Sequence, residues 1–208
     1  YVSDWDFIVS RADTTGMQVF TDDNILKVKA PDLSASPELS LVFGDNILAL
    51  ETEMDSRDQF AGVKAKSWDK ANQEIIETES ESFNGSLPGD ITTNDLSEVI
   101  GLDAFGLSHG GGLKDMELQA WANAQNTKSK ISKVKGRFQI QGYGNIKPGN
   151  MVELSGIGNH FNGNAYVSAV RHEITSENWI TNLGIGIPRK WFSEETEGIV
   201  DTQASGIL

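Results

Sequence analysis

Residues 133–140 run Lys-Val-Lys-Gly-Arg-Phe-Gln-Ile, and the alternation never slips. Val134, Gly136, Phe138 and Ile140 fall on one side; Lys133, Lys135, Arg137 and Gln139 fall on the other. A period of two belongs to an extended strand, whose successive side chains point to opposite faces, whereas a helix would scatter both sets. Such a strand must bury one face and leave the other to water. The same pattern recurs at 47–54, where Leu48, Leu50, Thr52 and Met54 share a face opposite Ala49, Glu51 and Glu53. Further strand signals lie at 39–43, 61–68, 151–154, 165–174 and 179–187, with Gly and Asn in the joints. Short strands joined in this way predict an antiparallel sheet that closes into a barrel or forms a sandwich.

Helices interrupt the strands. Ser3 is a good N-cap, Asp4 and Asp6 suit the positive end of a helix dipole, and Trp5, Ile8, Val9 and Ala12 recur at helical spacing before Gly16. A hairpin follows, turning at Asp22-Asp23-Asn24. Residues 77–90 are polar and broken by Gly85, Pro88 and Gly89, which predicts a loop. Thr92 or Thr93 can cap a short helix through Val99, and a longer helix spans about 113–130 after the flexible joint His109-Gly110-Gly111-Gly112. The class predicted is β-rich α+β, with two helices between the early and late strands.

Composition excludes several functions. With no cysteine, disulfides and thiolate metal sites are ruled out. No apolar run approaches the length of a membrane helix, so stable membrane insertion is not expected. The net charge of −13 falls entirely on residues 1–100, with 20 Asp and Glu against 7 Lys and Arg; residues 101–208 balance at 10 and 10. An acidic half repels phosphate backbones, which disfavours nucleic acid as a partner.

No catalytic signature emerges. His109, His160 and His172 share no metal-ligand spacing. The His-Gly-Gly-Gly run resembles a lipase oxyanion loop, but no Gly-x-Ser-x-Gly elbow accompanies it. Glu51, Glu53 and Asp55, and Glu77, Glu79 and Glu81, could supply paired carboxylates for a hydrolase; spaced so evenly, they read better as a solvated face. Lys133, Lys135 and Arg137 form a basic row best explained as a protected strand edge. The sequence therefore predicts no enzyme, no catalytic, cofactor-binding or metal-binding residues, and no cofactor.

Three blocks carry a resemblance. Ser3-Asp4-Trp5-Asp6-Phe7 with Gly16-Met17, the run FAGVKAKSWD at 60–69, and IKPGNMVELSGIGNHFNGNAYVSAVRHEI with NWITNLGIG at 146–186 stand in the order found in VgrG-like, phage late-control-D-like baseplate hub proteins. The resemblance implies an antiparallel β-barrel of tail-tube type. It implies a helix-plus-hairpin remnant over 1–36, a barrel domain over 37–190 with a helical insertion at about 90–131, and a linker over 191–208. It also implies a hub fragment, with a first barrel before Tyr1 and a spike domain after Leu208. Such hubs form homotrimers that contact the inner tube protein, spike or tip proteins and effectors. They are assembled in the bacterial cytoplasm and leave it within a tail-like particle. The residues alone leave two rivals: a carbohydrate- or surface-binding β module working through aromatics such as Tyr166 and Trp179, and the carboxylate hydrolase.

Overall fold

The computed structural model describes residues 2–101 and 103–196. The chain opens with helix α1 (Asp4–Asp13), where the Ser3 hydroxyl accepts the Asp6 N–H, as its position predicts. A hairpin of β1 (Gln18–Asp22) and β2 (Ile25–Lys29) follows. Asp23 and Asn24 both take positive φ, the conformation a two-residue hairpin turn demands.

Six strands form the main sheet: β3 (Leu39–Val42), β4 (Ile47–Met54), β8 (Val134–Gln141), β9 (Met151–Ser155), β10 (Gly163–Ile174) and β11 (Trp179–Ile185), in the order β3-β9-β10-β11-β8-β4. The two outermost strands, β3 and β4, are consecutive in the chain, joined by a turn at 44–46 and a bridge between Phe43 and Ile47. That link draws the edges together and curls the sheet into a half-barrel. Its concave side holds the main core: Leu41, Phe138, Ile140, Val152, Leu154, Val167 and Leu183. Burying each large apolar side chain contributes about 1.5–3 kcal/mol.

The alternation read from the sequence is realised in β8, with Phe138 and Ile140 inside and Arg137 outside. It fails once in β4. A register shift between Ile47 and Ala49 admits an extra residue, so Ile47 enters the core and Leu48 is turned outward, 55% exposed. The pairing is also mixed rather than wholly antiparallel, because β3 runs parallel to β9.

Between β4 and β8 lies an inserted module larger than the stretch 90–131 the sequence suggested. It contains β5 (Gly62–Asp69), β6 (Glu74–Glu79), α2 (Thr93–Ile100), β7 (Ala104–His109) and α3 (Asp115–Ile131). Its sheet has the order β6-β5-β7, with β7 parallel to β5. The strand predicted at 61–68 thus belongs to this sheet and not to the half-barrel. β6 corrects the reading of 77–79 as loop, and β7 is a strand that the sequence reading did not identify. The module's core gathers Phe60, Val63, Ala65 and Leu107 beneath Leu118, Trp121 and Ala122 of α3. The insertion leaves and returns at paired positions, Met54 opposite Val134.

Strand β8 lies between β11 and β4, so the basic row at 133–137 is not a sheet edge. Arg137 stands opposite Glu51 and Lys135 opposite Glu53. Lys133 leaves the row altogether: its buried ammonium donates to the Ile91 carbonyl.

Residues 191–196, expected to open a linker, are packed. Trp191 joins the module core and α4 (Phe192–Glu195) follows it. The rest of that expected linker, 197–208, lies outside the described residues.

Candidate assembly surfaces

The quoted glycine-rich stretch at 146–164 is a landing platform for two other segments. The first is the N-terminal hairpin. Lys147 Nζ lies 2.7 Å from Asp22 Oδ1, and Lys27 grips the other oxygen of that carboxylate at 2.6 Å. These two hydrogen-bonded ammonium groups hold the Asp22 carboxyl down to about 2. The Phe20 ring rests against Gly149, where a Cβ would lie 3.2 Å from Phe20 Cζ. Pro148-Gly149 therefore shapes a turn flat enough to receive an aromatic ring.

The second segment is Leu87-Pro88-Gly89-Asp90. Gly89 N–H donates to the Asn162 carbonyl at 2.7 Å and Asp90 N–H to the Asn159 carbonyl at 3.1 Å. His160 Nδ1 lies 2.7 Å from Asp90 Oδ1, which lowers the Asp90 pKa. A Cβ on Gly89 would sit 2.1 Å from the His160 carbonyl oxygen, so only glycine permits this approach.

Helix α1 is fixed from the other side. Asp13 accepts from Lys128 of α3 and from the Phe192 N–H at 2.8 Å, while the Lys128 ammonium lies 4.7 Å above the Trp191 ring. Burial lowers the Lys128 pKa against the opposing pull of Asp13. Two neighbouring lysines anchor the same end of α3 to further segments, Lys130 to the Phe60 carbonyl and Lys133 to the Ile91 carbonyl. Burial lowers both of their pKa values too.

Held at these points, the helix–hairpin unit presents Trp5, Phe7, Ile25, Leu26 and Val28 to solvent, with Phe7 58% and Ile25 60% exposed. These exposed apolar side chains all belong to the helix and the hairpin, on more than one face of that unit.

The Ser-Trp-Asp run divides its labour. Buried Ser67 donates to the Gly111 carbonyl and accepts the Leu113 N–H, so the joint expected to be flexible at 109–112 is pinned. Asp69 accepts the N–H groups of Ala71 and Asn72 and shapes the turn into β6. Trp68 points outward.

The acidic residues have separate partners. Glu77 pairs with Lys66 and Glu79 with Lys64 across adjacent strands. Asp55 takes a two-pronged contact from Arg57, which, as the largest cause, holds its carboxyl at about 2. The histidines sit apart: His109 bonds to Gly111, His160 to Asp90, and His172 to Thr181. Among the described residues, no group of three His, Asp or Glu side chains is placed to hold a metal ion. Nor is any helix there long and apolar enough to cross a membrane. Of the two aromatics proposed for surface recognition, Tyr166 is buried, which pushes its hydroxyl up to about 12. Trp179 remains partly open, with Gly142 beneath its ring.

One feature escaped sequence reading. Gln119, Asn123 and Asn126, spaced i, i+4, i+7 on α3, bond the main chain that continues β6: Gln119 to the Glu79 carbonyl, Asn123 to the Glu81 N–H, Asn126 to the Glu81 carbonyl. The amide stripe at helical spacing was the available signal.

Residues 1–176 match the family model of the Alg8 N-terminal domain. The chain belongs to the Alg8 N-terminal domain family. The fold of the chain is similar to that of solved phage tail proteins. The 43 kDa tail protein of prophage MuSo2 from Shewanella oneidensis superposes over 90% of the chain with a TM-score of 0.58 at 10% identity. A tail protein from Neisseria meningitidis MC58 does so over 90% with a TM-score of 0.58 at 15% identity. A protein of a native gene transfer agent virion matches over 88% at 0.50 and 14% identity. The chain spans about half the length of the two tail proteins, 54% and 56%, and 38% of the virion protein. No curated protein matches the sequence. At these identities the likeness concerns the fold: a curled, β-rich sheet with helices, as in phage tail proteins.

Proposed function

We propose that this protein is a structural, non-enzymatic hub subunit of a contractile injection machine, joining the inner tube to the central spike. The observation that carries the reading is its fold, shared with phage tail proteins over nine-tenths of the chain. The exposed apolar helix–hairpin unit supports it, because a load-bearing ring subunit needs surfaces that grip neighbours. In this reading the protein trimerises and contacts the tube protein on one side and spike, tip or effector proteins on the other. It is assembled in the bacterial cytoplasm and exported within the particle.

Mass photometry of the protein as its host expresses it tests the proposal. The expected species is a trimer, and a persistent monomer across the accessible concentration range would sink it. The rival reading, a carbohydrate- or surface-binding module, would have to work through Trp179, and a glycan array without hits would remove it.

A further inference from the structure

Strand β2 is paired with β1 alone, and strand β6 with β5 alone, so each offers an open edge. The hairpin turns through two residues, so Asp22 and Ile25 exchange both their hydrogen bonds, and by alternation Ile25, Lys27 and Lys29 face β1. Leu26 and Val28 then aim their main-chain N–H and C=O at the open side. On β6, the Ser80 N–H donates to the Val63 carbonyl, so Ser80, Thr78 and Ile76 bond β5. Ile75, Glu77 and Glu79 hold their main-chain groups outward.

Amides of α3 cap that outward edge from Glu79 onward, Gln119 at the Glu79 carbonyl and Asn123 and Asn126 at Glu81. They leave it open at Ile75 and Glu77. Alongside runs a groove of about 640 Å³ between β6 and α3, lined by Ile76, Thr78, Met116, Gln119 and Ala120, with Met116 85% exposed. An open edge with a helix-walled groove beside it is a receptacle for one more strand.

We infer that β2 of a second copy adds to β6 as a parallel strand, with Ile25 beside Ile75, Lys27 beside Glu77 and Lys29 beside Glu79. Main chain and side chains demand the same register independently. In a parallel ladder each outward residue bonds the two residues that flank its partner, so Leu26 bonds Ile75 and Glu77, and Val28 bonds Glu77 and Glu79. That register lays Leu26 and Val28 into the groove beside Ile76 and Thr78. On the other face Glu77 already meets Lys66 and Glu79 already meets Lys64, and the incoming Lys27 and Lys29 set each glutamate between two ammonium groups. Lys27 also bonds Asp22 within its own hairpin. Antiparallel addition would reverse the faces, putting Lys27 into the groove and Leu26 among the glutamates. The two edges belong to different surfaces, so the contact repeats from copy to copy and can close a ring. In taking a second copy as the partner, the inference rests on the assembly reading above.

The chain has no cysteine, so single thiols can be installed cleanly. Whole chain carrying Ile25→Cys, mixed with whole chain carrying Ile75→Cys, should cross-link through a short bis-maleimide. Ile25→Cys mixed with Ser108→Cys, on the opposite edge strand β7, should not. Val28→Pro added to the Ile25→Cys chain removes one outward N–H and spares the β1 ladder; with the β1 amide resonances retained, cross-linking should fall about tenfold. Absent cross-linking to Ile75→Cys, equal cross-linking to Ser108→Cys, or a yield indifferent to Val28→Pro overturns the contact, and trimers still seen by mass photometry would then leave the hub reading standing. Cross-linking in the expected register without closed trimers supports the contact and counts against the hub reading alone.

Discussion

Lys128 Nζ lies 2.5 Å from Asp13 Oδ1, and both side chains are almost sealed from solvent, so the N-terminal helix is tied to α3 by a buried ion pair. Removing one member strands the other charge in a poor solvent. Lys128→Met should cost about 3–5 kcal/mol in urea unfolding. Adding Asp13→Asn should return part of that loss, because no lone charge remains and the amide oxygen still accepts the Phe192 N–H.

The Asp22 contact makes hairpin docking acid-sensitive. Its carboxyl has a folded pKa of about 2 against an ordinary 3.8, so the unfolded state binds the proton more readily. The stabilisation is complete above the ordinary value and is lost as pH falls from there through about 2. Lys147→Met should flatten this part of the acid limb when unfolding is followed at several pH values. An unchanged acid limb would show that Lys147 does not hold the carboxylate.

Gly89→Ala and Gly44→Ala form an informative pair. Both positions have positive φ, 89° and 83°, yet only Gly89 faces a backbone oxygen, while nothing lies within 4 Å of a Cβ at Gly44. Gly44→Ala should cost about 1–2 kcal/mol, the conformational penalty alone. Gly89→Ala should cost more, about 3 kcal/mol or above, since the 87–90 segment must lift from the loop holding His160. Thermal melts of the two variants side by side measure the difference.

Asn123→Ala removes the acceptor of the Glu81 N–H. The expected loss is about 1 kcal/mol. Hydrogen exchange should rise at the Glu81 amide while the β5–β7 ladder stays protected. Exchange rising equally throughout the module would mean that α3 itself had shifted.

Phe7→Ser with Ile25→Thr should leave monomer stability within about 0.5 kcal/mol, as surface substitutions generally do. Under the hub function proposed above, the same pair should sharply reduce incorporation into assembled particles, read by quantitative immunoblotting of purified material. Normal incorporation would place the assembly surface elsewhere.

Legibility in the sequence followed the range of the interactions. The first helix, its Ser3 cap, the hairpin turn and the alternation of β8 are local, and their residues announce them. β6 is different: Ile75 and Ile76 are adjacent and acids surround them, so no alternation shows, and the strand exists because β5 pairs with it and α3 amides bind its continuation. The parallel pairs β3–β9 and β5–β7 join residues remote in the chain, and nothing local encodes them. Leu48 misled because a bulge shifts the phase of its strand. The basic row misled because whether a strand is central or peripheral depends on the partners it acquires. Of the surface features, the glycine-rich platform was visible as composition, but the segments that land on it were not.

Met54 and Val134 face each other across a single rung of the half-barrel, and everything between them is excursion. A module that departs and returns across one rung can be lengthened, traded for an unrelated one, or cut back to a tight reversal without re-registering any neighbouring strand. The half-barrel thus behaves as a socket whose strand register does not depend on what is inserted at that rung, while the 87–90 segment and Ile131 clip the present insert onto the frame.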